Sequence, residues 1–479
     1  MELYLYKKLV EYEDEGMYPF HMPGHKRNIK NEIQSPYSID ITEIDGFDNL
    51  NDPNDILKQS MEAAAQLYGA KETFYLVNGS TVGILSAITA TCNRGDKILM
   101  ARNCHKAVYN AVRLLELEPI YIPLHYIEEQ KVFAGIQEEA FKKLLEEHKS
   151  IKAVIITSPT YEGIVMHIQK VKMWIEPYQI PLIVDEAHGA HFPFCDHFPK
   201  SAITKGADIV IQSIHKTMPS FTQTALLHLC SDRITREQMQ DCISIYQTSS
   251  PSYVLMAGIE YAIDYGIKQK EKFQKYVTLL LEYREKYSHF QHISLLNKED
   301  IMKAGGYDFD PCKLVFFFHD TEDTGNTMSD RLRKEHHIQV EMAERDYIIA
   351  ISTVMDTEEG FERLYQALKT MDQEIERKIS QTKQRTQKKP LPLQTQEYDI
   401  VLLPSNAWKQ RKIEVCLQKA ESAICGEAIY LYPPGIPIVV PGERITKRTI
   451  QQMIAYKREG FYVKGIIERE KEWYVKVLK

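Results

Sequence analysis

No pair of the 8 cysteines stands as Cys-x-x-Cys, so the chain shows neither a zinc ribbon nor a redox pair. The thiols are scattered singly at 92, 104, 195, 230, 242, 312, 416 and 425, a usage that fits a reducing cytoplasm. No apolar run approaches the ~20 residues that a membrane span needs. Met1 to Phe20 lacks the basic start and apolar stretch of a secretory leader and carries Glu2, Glu11, Glu13, Asp14 and Glu15 instead. No long basic block interrupts the main body and the formal net charge is -7, which argues against nucleic acid as the main partner. The G-x-x-x-x-G-K-S/T loop of triphosphate sites, the G-x-G-x-x-G turn of dinucleotide folds and the H-E-x-x-H pair of zinc proteases are all missing. No internal repeat is visible.

What is present reads as a multidomain enzyme. The 479 residues are 44% hydrophobic and 26% charged, too many for one core, so two to four domains are expected. Residues 1–55 form an N-terminal arm, with a helical stretch at Leu3–Tyr12, a turn at Pro23-Gly24 and an acidic, extended segment from Ile39 to Leu50. Over 56–310 helix and strand patterns alternate, which predicts an α/β domain with a mostly parallel sheet. Thr224–Cys230 reads as an antiparallel partner strand, and Ser252–Ser288 as one long helix. Residues 311–375 predict a small α+β domain, and 376–395 a helix tail and solvated linker, rich in Lys, Arg and Gln. Residues 396–479 form a last α+β unit with a Pro-rich turn at Tyr432-Pro-Pro-Gly-Ile-Pro437.

The chemistry gathers between Pro181 and Lys216. Two short apolar strands end on polar groups: Asp185 and His188 after the first, Ser213, His215 and Lys216 after the second. Neighbouring strand ends in a parallel sheet are where such folds place ligands. An acid able to hold a protonated ring nitrogen, followed by a Lys able to form an imine, is the minimum equipment for pyridoxal phosphate. Asp185 would keep the pyridine nitrogen charged, and partial burial of Lys216 would lower its pKa and free its amine. Asn78-Gly-Ser-Thr81 lies between a strand and a helix, where free N–H groups and the hydroxyls of Ser80 and Thr81 could cradle a phosphate. The same residues also suit an ordinary N-cap. His105, at a helix start, is either a common first-turn His or the planar group against the ring. Asp185-Glu-Ala-His188 spells a helicase box, but without an upstream phosphate loop that reading fails. His188, His191, Cys195 and His197 do not match a common zinc spacing, so no metal is expected.

The chain resembles the ornithine/lysine/arginine decarboxylase family of fold-type I pyridoxal phosphate enzymes. The resemblance rests on His21-Met-Pro-Gly-His25, Asp185-Glu-Ala-His-Gly-Ala-His191, Ser213-Ile-His-Lys-Thr217, Thr248-Ser-Ser-Pro-Ser-Tyr253, Tyr432-Pro-Pro-Gly-Ile-Pro437 and Pro441-Gly-Glu443, spread over nearly the whole chain. It implies an aspartate aminotransferase-like large domain, a small α+β domain and an extra C-terminal α+β domain. It implies Lys216 as the cofactor-bound lysine, Asp185 as partner of the ring nitrogen, His105 stacked on the ring and His188 beside it. Ser80, Thr81, Ser213 and His215 would contact the phosphate. Ser249 and Ser250 would reach the phosphate of a neighbouring subunit, making at least a homodimer. Glu427 would help recognise a cationic substrate end. Larger family members carry an N-terminal wing domain; here the His-x-Pro-Gly-His arm begins at residue 21, so the expectation is the short Gram-positive type, a dimer or tetramer. The implied reaction is decarboxylation of arginine, lysine or ornithine to a di- or polyamine. Another fold-type I activity, an aminotransferase or lyase, and a catalytically silent protein of the same fold stay open at this point.

Overall fold

The computed structural model describes residues 4–29, 35–383, 385, 398–431 and 437–479. Its centre is a seven-stranded sheet: β1 (Glu72–Leu76), β2 (Lys97–Ala101), β3 (Glu118–Ile122), β4 (Ile151–Thr157), β5 (Leu182–Asp185), β6 (Ile209–Gln212) and β7 (Ala225–Leu229). They lie in the order β1-β7-β6-β5-β4-β2-β3, and only β7 runs antiparallel to its neighbours. β5 and β6 are buried along their whole length, as near-continuous apolar runs in a two-sided sheet should be. The helix Gly79–Thr91 covers this sheet so closely that a Cβ at Gly83 would stand 2.8 Å from the Ile211 side chain. That close approach sets the start of the helix against the strand that leads to Lys216.

The single helix expected over Ser252–Ser288 is two helices, Tyr253–Lys268 and Lys270–Ser288, interrupted at Gln269. The first half packs on the large domain, and the second reaches from it, where Phe273 meets Phe194 and Phe198, toward the residues that follow. Gly266 in the first lies against Phe194 of the large domain. In the second, Tyr283 stacks on Phe361 and Tyr287 meets Phe316 edge-on, both beyond the large domain. The second domain is built on a four-stranded antiparallel sheet of Ile293–Leu295, Lys313–Phe318, Tyr347–Ile351 and Met342–Ala343. Its first strand lies upstream of residue 311, and the helix Glu358–Thr382 runs beyond residue 375. Residues 386–397, most of the expected linker, and 432–436 of the Pro-rich turn lie outside the described residues.

The segment Ile39–Leu50 is not extended. A short helix, Pro36–Ile39, gives way to turns. The Asp48 carboxylate gathers the N–H groups of Asn54, Asp55 and Leu57, so a local side-chain cap replaces a strand ladder. Upstream, the arm strand Tyr18–Phe20 pairs in parallel with Ile338–Val340, joining the N-terminus to the second domain.

The C-terminal unit has its own core of Leu417, Cys425, Ile429, Met453 and Val475, between two three-stranded sheets and the helix Lys447–Arg458. Buried Arg102, just after β2, forms a bidentate pair with buried Glu443 at 2.7 and 2.8 Å and lies 4.2 and 4.7 Å from the rings of Tyr398 and Tyr121. Arg345 of the second domain pairs with Glu459 at 2.7 Å. All 8 cysteines are free, and no helix among the described residues is long and apolar enough to cross a membrane.

One buried histidine gives this assembly a pH signature. His292 bridges Asp320 at 3.0 Å and Glu376 at 2.9 Å. Burial alone would lower its pKa, but the hydrogen bonds to Glu376 and Asp320 outweigh it and the net shift is upward. A folded pKa above the unfolded value adds stability that is fully present below the unfolded value, about 6.5, and is lost as pH rises through the folded one. The melting-temperature gap between wild type and His292→Gln should therefore be widest in mild acid and shrink in alkali. A gap that stays flat from acid to alkali would mean that charge plays no part there.

Candidate active site

The sheet register sets Thr157, Asp185 and Ile211 side by side at the carboxyl ends of β4, β5 and β6. The residues that follow each strand therefore share one edge. Asp185 is buried, and burial pushes its carboxyl above the usual range while the Lys216 cation draws it back. Its carboxylate accepts one hydrogen bond, at 3.2 Å from the Ala187 N–H, out of about four acceptor positions. A buried acid so thinly partnered suits a cationic N–H donor such as a protonated ring nitrogen.

Lys216 lies on a short helix, Ile214–Thr217, which Ser213 begins. Burial lowers its pKa; the charges of Asp185 and Glu341 oppose that shift. Its Nζ is 3.1 Å from His188 Nε2. If the lysine donates, His188 carries its own proton on Nδ1, and that buried nitrogen has no partner. The His188 ring stands edge-on to Tyr161, with 4.9 Å between centroids. Ser213 Oγ and Thr217 Oγ1, on either side of Lys216 in the chain, are also buried without partners. Buried polar atoms are almost always hydrogen-bonded, so this concentration of orphans around one Lys fits a bound polar group.

His105 is the N-cap of the helix Lys106–Leu114, and its Nδ1 accepts from the Ala107 N–H at 3.3 Å. The ordinary helix-start role is thus real, and it also fixes the ring. Burial, then the Lys216 charge, push its pKa down to about 4, so the ring is neutral near pH 7. His215 Nδ1 donates to the Thr224 carbonyl at 2.7 Å, and burial pushes its pKa down to about 4 as well. Its free Nε2 is then an acceptor, and only an anion close by would favour protonating it. Ser80 and Thr81 occupy the first turn of the helix Gly79–Thr91, half-buried, with Asn78 as its N-cap. Ser249 and Ser250 are exposed, on a loop that is tied to this same turn: the Thr248 N–H donates to Asn78 Oδ1 at 3.1 Å. Glu427 sits on the C-terminal unit, and its carboxylate is paired with Lys476 at 2.8 Å.

The structure gives the His21–His25 motif a place and adds Lys26, Tyr161, Glu341 and Thr353, which no motif singled out. The N-terminal arm is part of the site's frame. The Gly24 N–H donates to the His215 carbonyl at 2.7 Å, and Thr353 Oγ1 donates to the Gly24 carbonyl at 2.8 Å. A Cβ at Gly24 would lie 2.7 Å from the Met218 carbonyl oxygen, two residues past Lys216. Buried Lys26 locks the turn by donating to the carbonyls of Pro19, His21 and Ile351. Tyr161, on the turn after β4, donates from its hydroxyl to Glu341. The strand-end logic that picks out Asp185 and Lys216 applies equally to that turn. Nearby, His191, Asp310 and Cys312 lie close enough to share an ion, but Asp310 already has Lys313 at 3.7 Å and His191 at 3.3 Å, and burial drives the Cys312 thiol far above its usual pKa. That chemistry is an ion-pair joint between domains rather than a thiolate ligand set.

Comparison with known proteins agrees with this geometry. Residues 4–333 match the model of the Orn/Lys/Arg decarboxylase major domain, and 393–461 that of its C-terminal domain. The chain is 29% identical over 470 residues to arginine decarboxylase of Bacillus subtilis, covering 96% of this chain and 95% of that protein. It is 34% identical over 485 residues to the uncharacterized protein YaaO of the same organism, covering 98% of each. Among solved structures, the lysine decarboxylase LdcF of Francisella novicida superposes with a TM-score of 0.76 at 17% identity, over 99% of this chain and 83% of that one, which shows the shared fold. The chain belongs to the Orn/Lys/Arg decarboxylase family, the pyridoxal phosphate-dependent decarboxylases that share this two-part sequence signature.

Proposed function

We propose that this protein removes the α-carboxylate of arginine, lysine or ornithine as CO2 and releases the corresponding amine. The observation that carries this reading is Lys216, its pKa lowered by burial, set between thinly partnered Asp185 and His188 and flanked in the chain by orphaned hydroxyls. When bound, pyridoxal phosphate supplies an electron sink for the pair released as the carboxylate leaves. Asp185 holds the charged ring nitrogen. The neutral His105 ring offers a flat face, and the free His188 Nδ1–H offers a donor to the cofactor's phenolic oxygen. Ser80, Thr81 and Ser213, with the N–H groups that open the helix Gly79–Thr91, hold the phosphate, and His215 joins them once the anion favours its protonation. Lys216 Nζ supplies the proton that returns to the substrate Cα after CO2 departs.

Ser249 and Ser250, exposed beside the phosphate turn, are placed to meet a second copy of the chain, which supports a homodimer or tetramer with the site at the interface. The free thiols support a cytoplasmic location. Steady-state assays on arginine, lysine and ornithine, with CO2 and product amines quantified, test the reading. CO2 and amine in equal amounts from one of the three is the expected result. A keto acid without CO2 would point to an aminotransferase, and a protein that stays colourless with pyridoxal phosphate and is insensitive to borohydride would point to a silent homologue.

A further inference from the structure

A basic substrate needs a carboxylate to receive its distal cation, and most acids near the site are already committed. Asp185 belongs to the ring-nitrogen side. Glu186 is buried and saturated by Ser201, Ala202 and Gln212 at 2.6 to 2.8 Å. Glu162 is held by the hydroxyls of Thr160 and Tyr347. Glu427 has Lys476.

Glu341 is different. It lies between the strands Ile338–Val340 and Met342–Ala343, half-buried, and one of its oxygens accepts from the Tyr161 hydroxyl. The other accepts from the Met22 N–H of the arm at 2.9 Å. Those two neutral donors fix the carboxylate's orientation and leave about two acceptor positions open. Among the described residues no Lys, Arg or His forms an ion pair with it. Lys26 is taken by three backbone carbonyls and stands 3.9 Å from Asp356. Lys216, Lys26 and His21 are near enough to feel its charge, yet none of them lies at ion-pair distance, so the carboxylate still has room for a cation in direct contact. Its place in the site follows from contacts: Tyr161, which it binds, meets the His188 ring, and His188 contacts Lys216.

We propose that Glu341 is the specificity-determining residue that receives the distal ammonium or guanidinium of the substrate. This rests on the decarboxylase reading above. Tyr161 and the arm aim the carboxylate, and the substrate supplies a cation in direct contact with it. Glu427 then acts outside this contact.

The test compares wild type with Glu341→Gln in the cofactor-loaded enzyme, using arginine, lysine, ornithine and norleucine, the last a neutral counterpart of lysine. For the preferred basic substrate, KM should rise about 10- to 100-fold with kcat within about threefold, the scale expected for a charge-assisted contact. For norleucine kcat/KM should barely move, so that the preference for a cation collapses. Glu341→Asp keeps the charge but withdraws it by one methylene, and should shift the KM ratio toward arginine over ornithine. This second variant decides the matter if Glu341→Gln does not fold. Unchanged KM values, a fall in kcat alone, or an equal KM loss in Glu427→Gln would overturn the proposal. Failure of the decarboxylase reading looks different: wild type would then release CO2 from none of the three basic amino acids.

Discussion

Lys216→Ala should eliminate turnover, with a loss on the order of 10⁴-fold or more, because in the proposed mechanism one side chain both holds the cofactor and moves the proton. Two observations make the expectation strong. Burial lowers the pKa of this amine, so its neutral, nucleophilic form is more accessible than that of a surface lysine. Its Nζ contacts His188, so its position is specified rather than free to swing. The purified variant should also lack the visible absorption of a lysine-bound cofactor and resist borohydride trapping. Small primary amines added to the variant should restore a fraction of the rate, since an amine is the missing group. Normal turnover by the variant would remove Lys216 from the mechanism altogether.

Glu443→Gln should have the largest effect on the assembly. The bidentate pair with Arg102 is buried on both sides, with Arg102 8% and Glu443 3% exposed. Removing one member of such a pair leaves an uncompensated charge and typically costs about 3–5 kcal/mol. The loss should reach the cofactor as well. Arg102 is three residues from His105, and its carbonyl accepts from the Tyr109 hydroxyl at 2.7 Å, so the loop carrying His105 is held partly by the C-terminal unit. Urea melts followed by fluorescence should show earlier unfolding, and cofactor titration should show weaker binding. The double variant Arg102→Met with Glu443→Leu should recover much of the stability, since a buried pair replaced by apolar side chains is often near neutral. If Glu443→Gln melts like wild type, the pair is not a structural link between the two units.

The central sheet was legible because each strand is a short apolar run that stops on a residue with chemistry. Leu182–Val184 ends on Asp185, and Ile209–Ile211 leads through Gln212 to Ser213 and Lys216. Such a pattern needs no knowledge of the rest of the chain. Tyr161 follows a strand end in the same way, but Glu341 carries no such local mark, and nothing local pairs the two. They are 180 residues apart and meet only because the second domain closes over the strand ends. The break at Gln269 was hidden because Ile267, Lys268, Lys270 and Glu271 on either side of it are all compatible with a helix and no Pro marks the place. The turns of Ile39–Leu50 were hidden for a related reason. Asp48 looks like any acid in an acidic stretch until its carboxylate is seen to collect four backbone N–H groups.

The arm also fixes an order of events during synthesis. Gly24 leaves the ribosome well before Thr353, to which its carbonyl is bound and which lies 329 residues later. At about 5–20 residues per second, that interval is roughly 15 to 65 s. In the later part of it, a nascent chain that has already made Asp185 and Lys216 still lacks the Ile351 carbonyl that Lys26 holds. The arm is therefore secured long after it is made, and the pocket around Lys216 is finished only after the second domain has emerged.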